Sequence, residues 1–213
     1  PGSRGILVPA NALNASFSTV SALPGKIALI TQSTAIASAI LESATSSEIG
    51  FSTVVHLGAS IDVDLADVLD WLATDPATES ILVQFDSVSV GRKFMSAARA
   101  TARNKRVFAI RGGRVAPSNP EQRLLPVNEV YEAALRRAGW VSINTLDDMF
   151  ETIEAIARVR PMRGARLSII ANGQGLGSFA ADTLIRSGGR LATLSTETLH
   201  QLEKLLPTAW PIG

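Results

Sequence analysis

From residue 25 onward, short apolar runs alternate with stretches whose apolar positions recur at helical spacing. Lys26-Ile-Ala-Leu-Ile-Thr31 is long enough for one strand buried on both faces. Residues 33–48 follow with Ile36, Ile40 and Leu41 on one face; Ser33 predicts an N-cap, and Gly50 a break. Residues 53–57 form the next apolar run. Asp64 predicts the cap of a helix carrying Ala66, Val68, Leu69 and Leu72, which stops at Asp75-Pro76. Ser80-Ile-Leu-Val-Gln-Phe85 predicts a third strand. A helix is expected over 91–103, with Phe94, Ala97, Ala98 and Thr101 on its apolar face, and a fourth strand over 106–110. A helix over 128–138 ends at Gly139, a short strand spans 140–143, and Thr145 caps a helix with Leu146, Met149, Phe150, Ile153 and Ile156.

Two stretches break this rhythm. Residues 1–24 have no clear period and read as a linker or the tail of an upstream domain. Residues 112–126 hold Pro117, Pro120 and Pro126 and read as a loop. Pro161 and Gly164 mark a boundary, after which the alternation restarts: strand 166–171, helix 177–186, strand 190–194, helix 196–206. Strands alternating with helices predict parallel βαβ units and an α/β fold. Five strands make a first domain over 25–160; two make a partial second one over 165–213. The chain starts at Pro1 rather than methionine, so a piece of a longer polypeptide is expected.

Composition narrows the chemistry. The 213 residues are 46% apolar and 18% charged, a balance that supports a large core. Twenty Lys and Arg stand against 19 acids, so bulk charge gives no case for nucleic acid. There is no cysteine, which excludes disulfides, thiolate nucleophiles and Cys-zinc sites. The two histidines lie far apart, which argues against a His-rich metal site. No apolar run approaches a membrane span and no signal peptide is visible, so a soluble cytoplasmic protein with no membrane partner is expected.

In open α/β sheets ligands gather at the carboxyl ends of strands. Two similar turns lie there, Thr31-Gln32-Ser33-Thr34 and Ala171-Asn172-Gly173-Gln174-Gly175, a weak internal repeat. Each opens a helix, whose free N–H groups and partial positive charge suit phosphate. The alternative is a pair of tight turns with nothing bound. Gly173-Gln-Gly175-Leu-Gly177 lacks the spacing of a dinucleotide fingerprint, and no Walker lysine follows. His56 ends an apolar strand and reads as structural; His200 reads as a surface residue. Asp62, Asp64 and Asp67 look like a metal cluster, but capping explains them better. Asp86, after the third strand, is the best-placed acid for a role, with a plain turn aspartate as the alternative. Arg92, Lys93, Arg99, Arg103, Lys105 and Arg106 form a basic stretch, read as a solvated helix face that also suits an anionic partner. Trp71, Trp140 and Trp210 are candidates for core or interface anchors.

Several of these residues carry a family resemblance. Gly25-Lys-Ile-Ala-Leu-Ile-Thr-Gln-Ser33, Ile49-Gly-Phe-Ser52, His56-Leu-Gly58, Asp62-Val-Asp64, Gly91-Arg-Lys-Phe94, Gly112-Gly-Arg114 and Val130-Tyr-Glu-Ala-Ala134 resemble the second domain of nucleoside-diphosphate-forming acyl-CoA synthetases. Ala171-Asn-Gly-Gln-Gly-Leu-Gly177 resembles the opening of the next domain and the glycine-rich turn of the succinyl-CoA synthetase beta subunit. The resemblance implies a flavodoxin-like doubly wound parallel sheet followed by the start of a second similar unit. It also implies a histidine on a mobile loop that carries a phosphoryl group, held by two helix N-termini. Those starts fall on Gln32, Ser33 and Thr34 and on Asn172, Gly173, Gln174 and Gly175, and the acid supporting the histidine falls on Asp86.

The sequence departs from that pattern at the carrier. The loop over 115–129 contains no histidine, and Thr34 stands where a glycine is usual. No catalytic residue is therefore expected in this chain, and the anion sites are expected to be vestigial. The loss resembles Pat-type bacterial protein lysine acetyltransferases, which keep a synthetase-like region without the phosphorylated histidine. Leu13-Asn-Ala-Ser-Phe-Ser18, Gln122-Arg-Leu-Leu125, Met162-Arg-Gly164 and Leu191-Ala-Thr-Leu-Ser195 resemble that branch. The resemblance implies a non-catalytic, acetyl-CoA-responsive regulatory module, with an active ADP-forming acetyl-CoA synthetase fragment as the alternative. It implies CoA or acetyl-CoA in the parent, mainly on domains other than these, and residues 1–24 as the tail of a CoA-binding domain. The expected partners are other domains of the parent and a second copy in a homo-oligomer.

Overall fold

The computed structural model describes residues 4–16, 19–58, 62–112, 127–159 and 164–206. The chain divides into two compact units, residues 1–159 and 160–213. The first contains, in order, β1 (Gly5–Val8), a single 3-10 turn (Pro9–Asn11), β2 (Leu13–Ala15), β3 (Leu23–Thr31), α1 (Thr34–Ser46), β4 (Gly50–His56), α2 (Leu65–Thr74), β5 (Ser80–Phe85), α3 (Gly91–Asn104), β6 (Arg106–Arg111), α4 (Val127–Ala138), β7 (Val141–Ile143) and α5 (Leu146–Arg158).

The strands form one seven-stranded sheet in the order β2-β1-β4-β3-β5-β6-β7. The run from β4 to β7 is parallel. Numbered by themselves, these five strands have the order 2-1-3-4-5 of a flavodoxin-like doubly wound sheet, whose direction of winding reverses between β3 and β5. Side chains alternate between two cores. Ile27 and Leu29 of β3 join Ile40 and Leu41 of α1 and Met149 and Ile153 of α5. Ala28 and Ile30 face the other way, with Leu69 of α2, Phe94 of α3 and Leu135 of α4. Phe85 is fully buried at the meeting of three rings, 6.0 Å from Phe94 and 5.8 Å from Tyr131 by centroid. Burial of such a side chain stabilises the fold by roughly 1.5–3 kcal/mol.

Local signals set the helix boundaries. Ser33 caps α1 through its side chain, which accepts from the Ile36 N–H. Asp64 and Asp67 form a reciprocal capping box at the start of α2. Gly139 takes φ of +85°, a left-handed conformation that ends α4 at no steric cost to glycine. Trp140 follows it; its indole N–H donates to the Ala98 carbonyl at 3.0 Å and its ring meets Phe94 edge-on, so it is a core anchor. Trp71 is half exposed, and Trp210 lies outside the described residues.

Residues 1–24 differ from the linker reading. Within them β1 and β2 pair antiparallel with each other, and β1 pairs antiparallel with β4. Strands of four and three residues, mostly exposed or half-buried, leave no periodic trace to read. The first unit thus has seven strands rather than five. The loop over 113–126, including most of the stretch expected to hold a phosphorylated histidine, lies outside the described residues.

The second unit contains β8 (Arg166–Leu167), α6 (Gln174–Arg186), β9 (Arg190–Leu191) and α7 (Thr196–Leu205). β8 and β9 form a two-stranded parallel sheet. Both are shorter than the apolar runs over 166–171 and 190–194, because a run becomes a strand only where a partner ladder meets it, and here each has one neighbour. None of the α6 or α7 residues is buried.

Candidate functional site

The sheet register brings one row of residues together at the carboxyl edge of the first unit. His56 of β4 lies beside Thr31 of β3, and Thr31 beside Gln84 of β5. The row crosses the point where winding reverses, the place where doubly wound sheets open a crevice. Alternation puts Thr31 and Gln84 on the same face as Leu29 and Leu82, towards α1.

Gln84 is the hub. It is 2% exposed, and its side chain is turned onto the start of α1. Its Oε1 accepts from the Thr31 hydroxyl at 2.6 Å and from the backbone N–H groups of Gln32 and Ser33 at 3.1 Å each. Its Nε2 donates to Asp86 Oδ1 at 3.1 Å. Gln32 completes the arrangement from the other side. Its Oε1 accepts from the Asp86 N–H at 2.7 Å, and its Nε2 donates to the Ser87 carbonyl at 3.0 Å. Two backbone donors that an anion would need are therefore already engaged by an amide of the same chain. The Gln32 N–H is shared with the Gln84 backbone carbonyl at 3.2 Å and the Ser33 N–H with Thr31 Oγ1 at 2.9 Å, so the α1 start presents neither donor free to a phosphate.

Behind this cradle, Arg111 ends β6. Its guanidinium lies 4.6 Å from the Tyr131 ring centroid and hydrogen-bonds to the Asn128 side chain and the Asp86 carbonyl. The Tyr131 hydroxyl accepts from the Val88 N–H at 3.2 Å. The loop after β5 is thereby tied to α4 from below.

The structure places each candidate residue as follows. Gln32 and Ser33 lie in the Gln84 network, and Thr34 is the exposed first residue of α1. Asp86 is exposed but shares that network through both its carboxylate and its N–H. Asn172, Gly173, Gln174 and Gly175 lie at the start of α6 and are exposed; Gly173 is the N-cap residue, with no side-chain capping bond. These belong to the second unit and are described by themselves.

His56 is 6% exposed, and its Nε2 has no hydrogen-bond partner. Burial pushes its pKa below the usual histidine range. His200 is exposed on α7, with Nδ1 3.7 Å from a Glu203 carboxylate oxygen. Among the described residues no group of acids or histidines is arranged to hold a metal. Asp64 and Asp67 serve the capping box and pair with Lys93, which holds the Asp67 carboxyl below its ordinary range. No helix among the described residues is long and apolar enough to cross a membrane.

Sequence reasoning missed Gln84 and the Arg111–Tyr131 pair. The signal for the first was available: one long polar residue in an otherwise apolar buried strand, next to its end. The second joins residues on separate elements and left no local mark.

Comparison with known proteins gives this geometry a family. Residues 24–156 match the succinyl-CoA ligase like flavodoxin domain. The chain is 34% identical over 212 residues to acetate–CoA ligase [ADP-forming] I of Archaeoglobus fulgidus, covering 97% of this chain and 31% of that one. It is 31% identical to the alpha subunit of acetate–CoA ligase [ADP-forming] II of Pyrococcus furiosus, covering 97% and 46%. Among solved structures, dinucleotide forming acetyl-coenzyme A synthetase 1 of Ca. Korarchaeum cryptofilum, in complex with phosphate and ADP, superposes with a TM-score of 0.84 at 27% identity, over 96% of this chain and 46% of that one. The chain spans less than half the length of these relatives. The sheet order, the edge at which the polar row lies and the match over residues 24–156 agree: the chain belongs to the succinyl-CoA ligase like flavodoxin domain family.

Proposed function

We propose that this chain is a non-catalytic, acetyl-CoA-responsive module built on an NDP-forming acyl-CoA synthetase-like region, and that it regulates a protein lysine acetyltransferase activity of the protein that carries it. The observation that supports this reading is the Gln84 side chain on the N-terminus of α1. The sequence adds that no histidine occurs between His56 and His200, so the chain offers no carrier in the loop before α4. A site built to pass a phosphoryl group needs both a nucleophile and open donors. Here the nucleophile is missing and two of the donors are engaged. CoA or acetyl-CoA would be bound mainly by other segments of that protein.

The second reading is an acyl-CoA ligase with ADP-forming chemistry. The relatives named above favour it, since both carry that activity in their names. One assay separates the two. The whole protein is incubated with labelled acetyl-CoA and a cell extract, and separately with labelled ATP. Label on protein lysines that depends on the protein supports the regulatory reading. An acid-labile, base-stable phosphate on the protein, or ATP formed from acetyl-CoA, ADP and phosphate, overturns it in favour of the ligase.

A further inference from the structure

The basic stretch of the sequence separates into two sets in the structure. Lys93 Nζ lies 2.7 Å from Asp67 Oδ2 and 3.2 Å from Asp64 Oδ1. Lys105 Nζ donates to the Asp75 and Thr78 carbonyls at 2.6 and 2.5 Å. Both ammonium groups hold structure around α2. Arg106 opens β6, away from this face; Arg92, Arg99 and Arg103 of α3 remain, and among the described residues none of their side chains has a hydrogen bond or ion pair. All three are exposed. With Arg137 of α4, equally unpartnered, they line a groove of about 780 Å3 between α3 and α4, floored by Met95, Ala133 and Ala134. Among the described residues no acidic one lines it.

We infer that this groove docks an acidic segment of a partner polypeptide. Guanidinium groups present rigid forks that suit carboxylates, and four of them around an apolar floor form a charge pattern with no complement among the described residues. The spacing selects the shape of the occupant. At 1.5 Å per helical residue, Arg99 and Arg103 stand about 6 Å apart along α3, and Arg92 about 10 Å beyond. An extended peptide sets side chains of one face about 6.6 Å apart, so carboxylates two residues apart match the first pair. About three further residues reach Arg92. A single phosphate or pyrophosphate engages only one end of this line. A small organic ligand is buried over most of its surface in its pocket, and this groove is open along its length. A net charge of +1 over the whole chain gives no bulk attraction for a nucleic-acid backbone.

The test is binding of a fluorescently labelled peptide of alternating Glu and Leu to the whole chain. At low salt it binds saturably, and affinity falls as salt is raised. Arg99→Glu and Arg137→Glu each weaken it roughly five- to tenfold. Arg136→Glu, which makes the same charge change outside the groove lining, leaves it within about twofold. No side-chain bond of these arginines to a described residue is lost, so all three variants stay folded, and Arg136→Glu and Arg137→Glu, both in the last turn of α4, share the same small loss from the helix dipole. Three results would overturn the inference: no saturable binding; equal weakening by Arg136→Glu, which means bulk charge alone; or tighter competition by tripolyphosphate or a single-stranded oligonucleotide, which means the groove takes a different anion.

Discussion

Asp86 reaches the Gln84 amide because residue 112 has no side chain. A Cβ placed on Gly112 would collide with Asp86 Oδ1, the atom that receives the Gln84 Nε2–H at 3.1 Å. Gly112→Ala is therefore expected to push the carboxylate off the amide and cost about 1 kcal/mol, seen as a lower denaturation midpoint. In an Asp86→Ala background the same change has no carboxylate to displace. There it costs little, so a double-mutant cycle isolates the relationship. Equal costs in both backgrounds would refute it.

Gln84→Ala removes one shared acceptor of the Thr31 hydroxyl and of the Gln32 and Ser33 N–H groups, which keep the Ser33 carbonyl, the backbone carbonyl of residue 84 and Thr31 Oγ1 respectively. The expected loss is about 1 kcal/mol. The same change removes the amide that covers the start of α1. In amide NMR, inorganic phosphate should shift the Gln32 and Ser33 signals of the variant and not those of the parent. Shifts of equal size in both would show that Gln84 does not close the cradle.

His56 carries the pH dependence. Its folded pKa lies below its unfolded value of about 6.5, because burial disfavours the imidazolium. Between the two values the unfolded chain binds more protons, so stability rises with pH through that window. The His56 contribution is complete above pH of about 6.5 and is lost as pH falls through the folded pKa. Thermal melts from neutral to mildly acid pH should show this slope in the parent. His56→Gln should flatten it; an unchanged slope would place the dependence elsewhere.

Asp64 accepts from the Ala66 and Asp67 N–H groups at 2.9 and 3.1 Å, and also draws Lys93 towards α2. Asp64→Ala is expected to cost about 1 kcal/mol through the lost cap. Asp64→Asn keeps a capping oxygen and should retain most of that stability. If the two variants melt together below the parent, the charge rather than the cap is the source.

The first unit was largely legible from Lys26 onward, because its central strands are buried on both faces and three of its helices, α1, α2 and α5, carry side-chain caps. Ser80–Phe85 forms over the residues the apolar run marks, and Ser33, Asp64 and Thr145 cap where they were expected. β1 and β2 were not legible: Leu7 is the one buried residue among their seven, too few for a period to emerge. The candidate site was half legible. Asp86, Gln32 and Ser33 stand at the carboxyl edge of the sheet by topology alone. The closing of the cradle depends on which way one side chain of β5 turns, and that is decided by Thr31 and the α1 N–H groups across a separation of about fifty positions.

The antiparallel pairing of β1 has a practical cost for anyone trimming the protein. Its partners on β4 are His56, Val55 and Val54, an apolar stretch otherwise at the rim of the parallel sheet. A chain begun at Gly25, where the conspicuous pattern starts, would leave that rim bare. Exposed apolar edges recruit strands from neighbouring molecules. Such a truncation should self-associate in proportion to concentration, and light scattering would register the loss of β1 before any change in helix content.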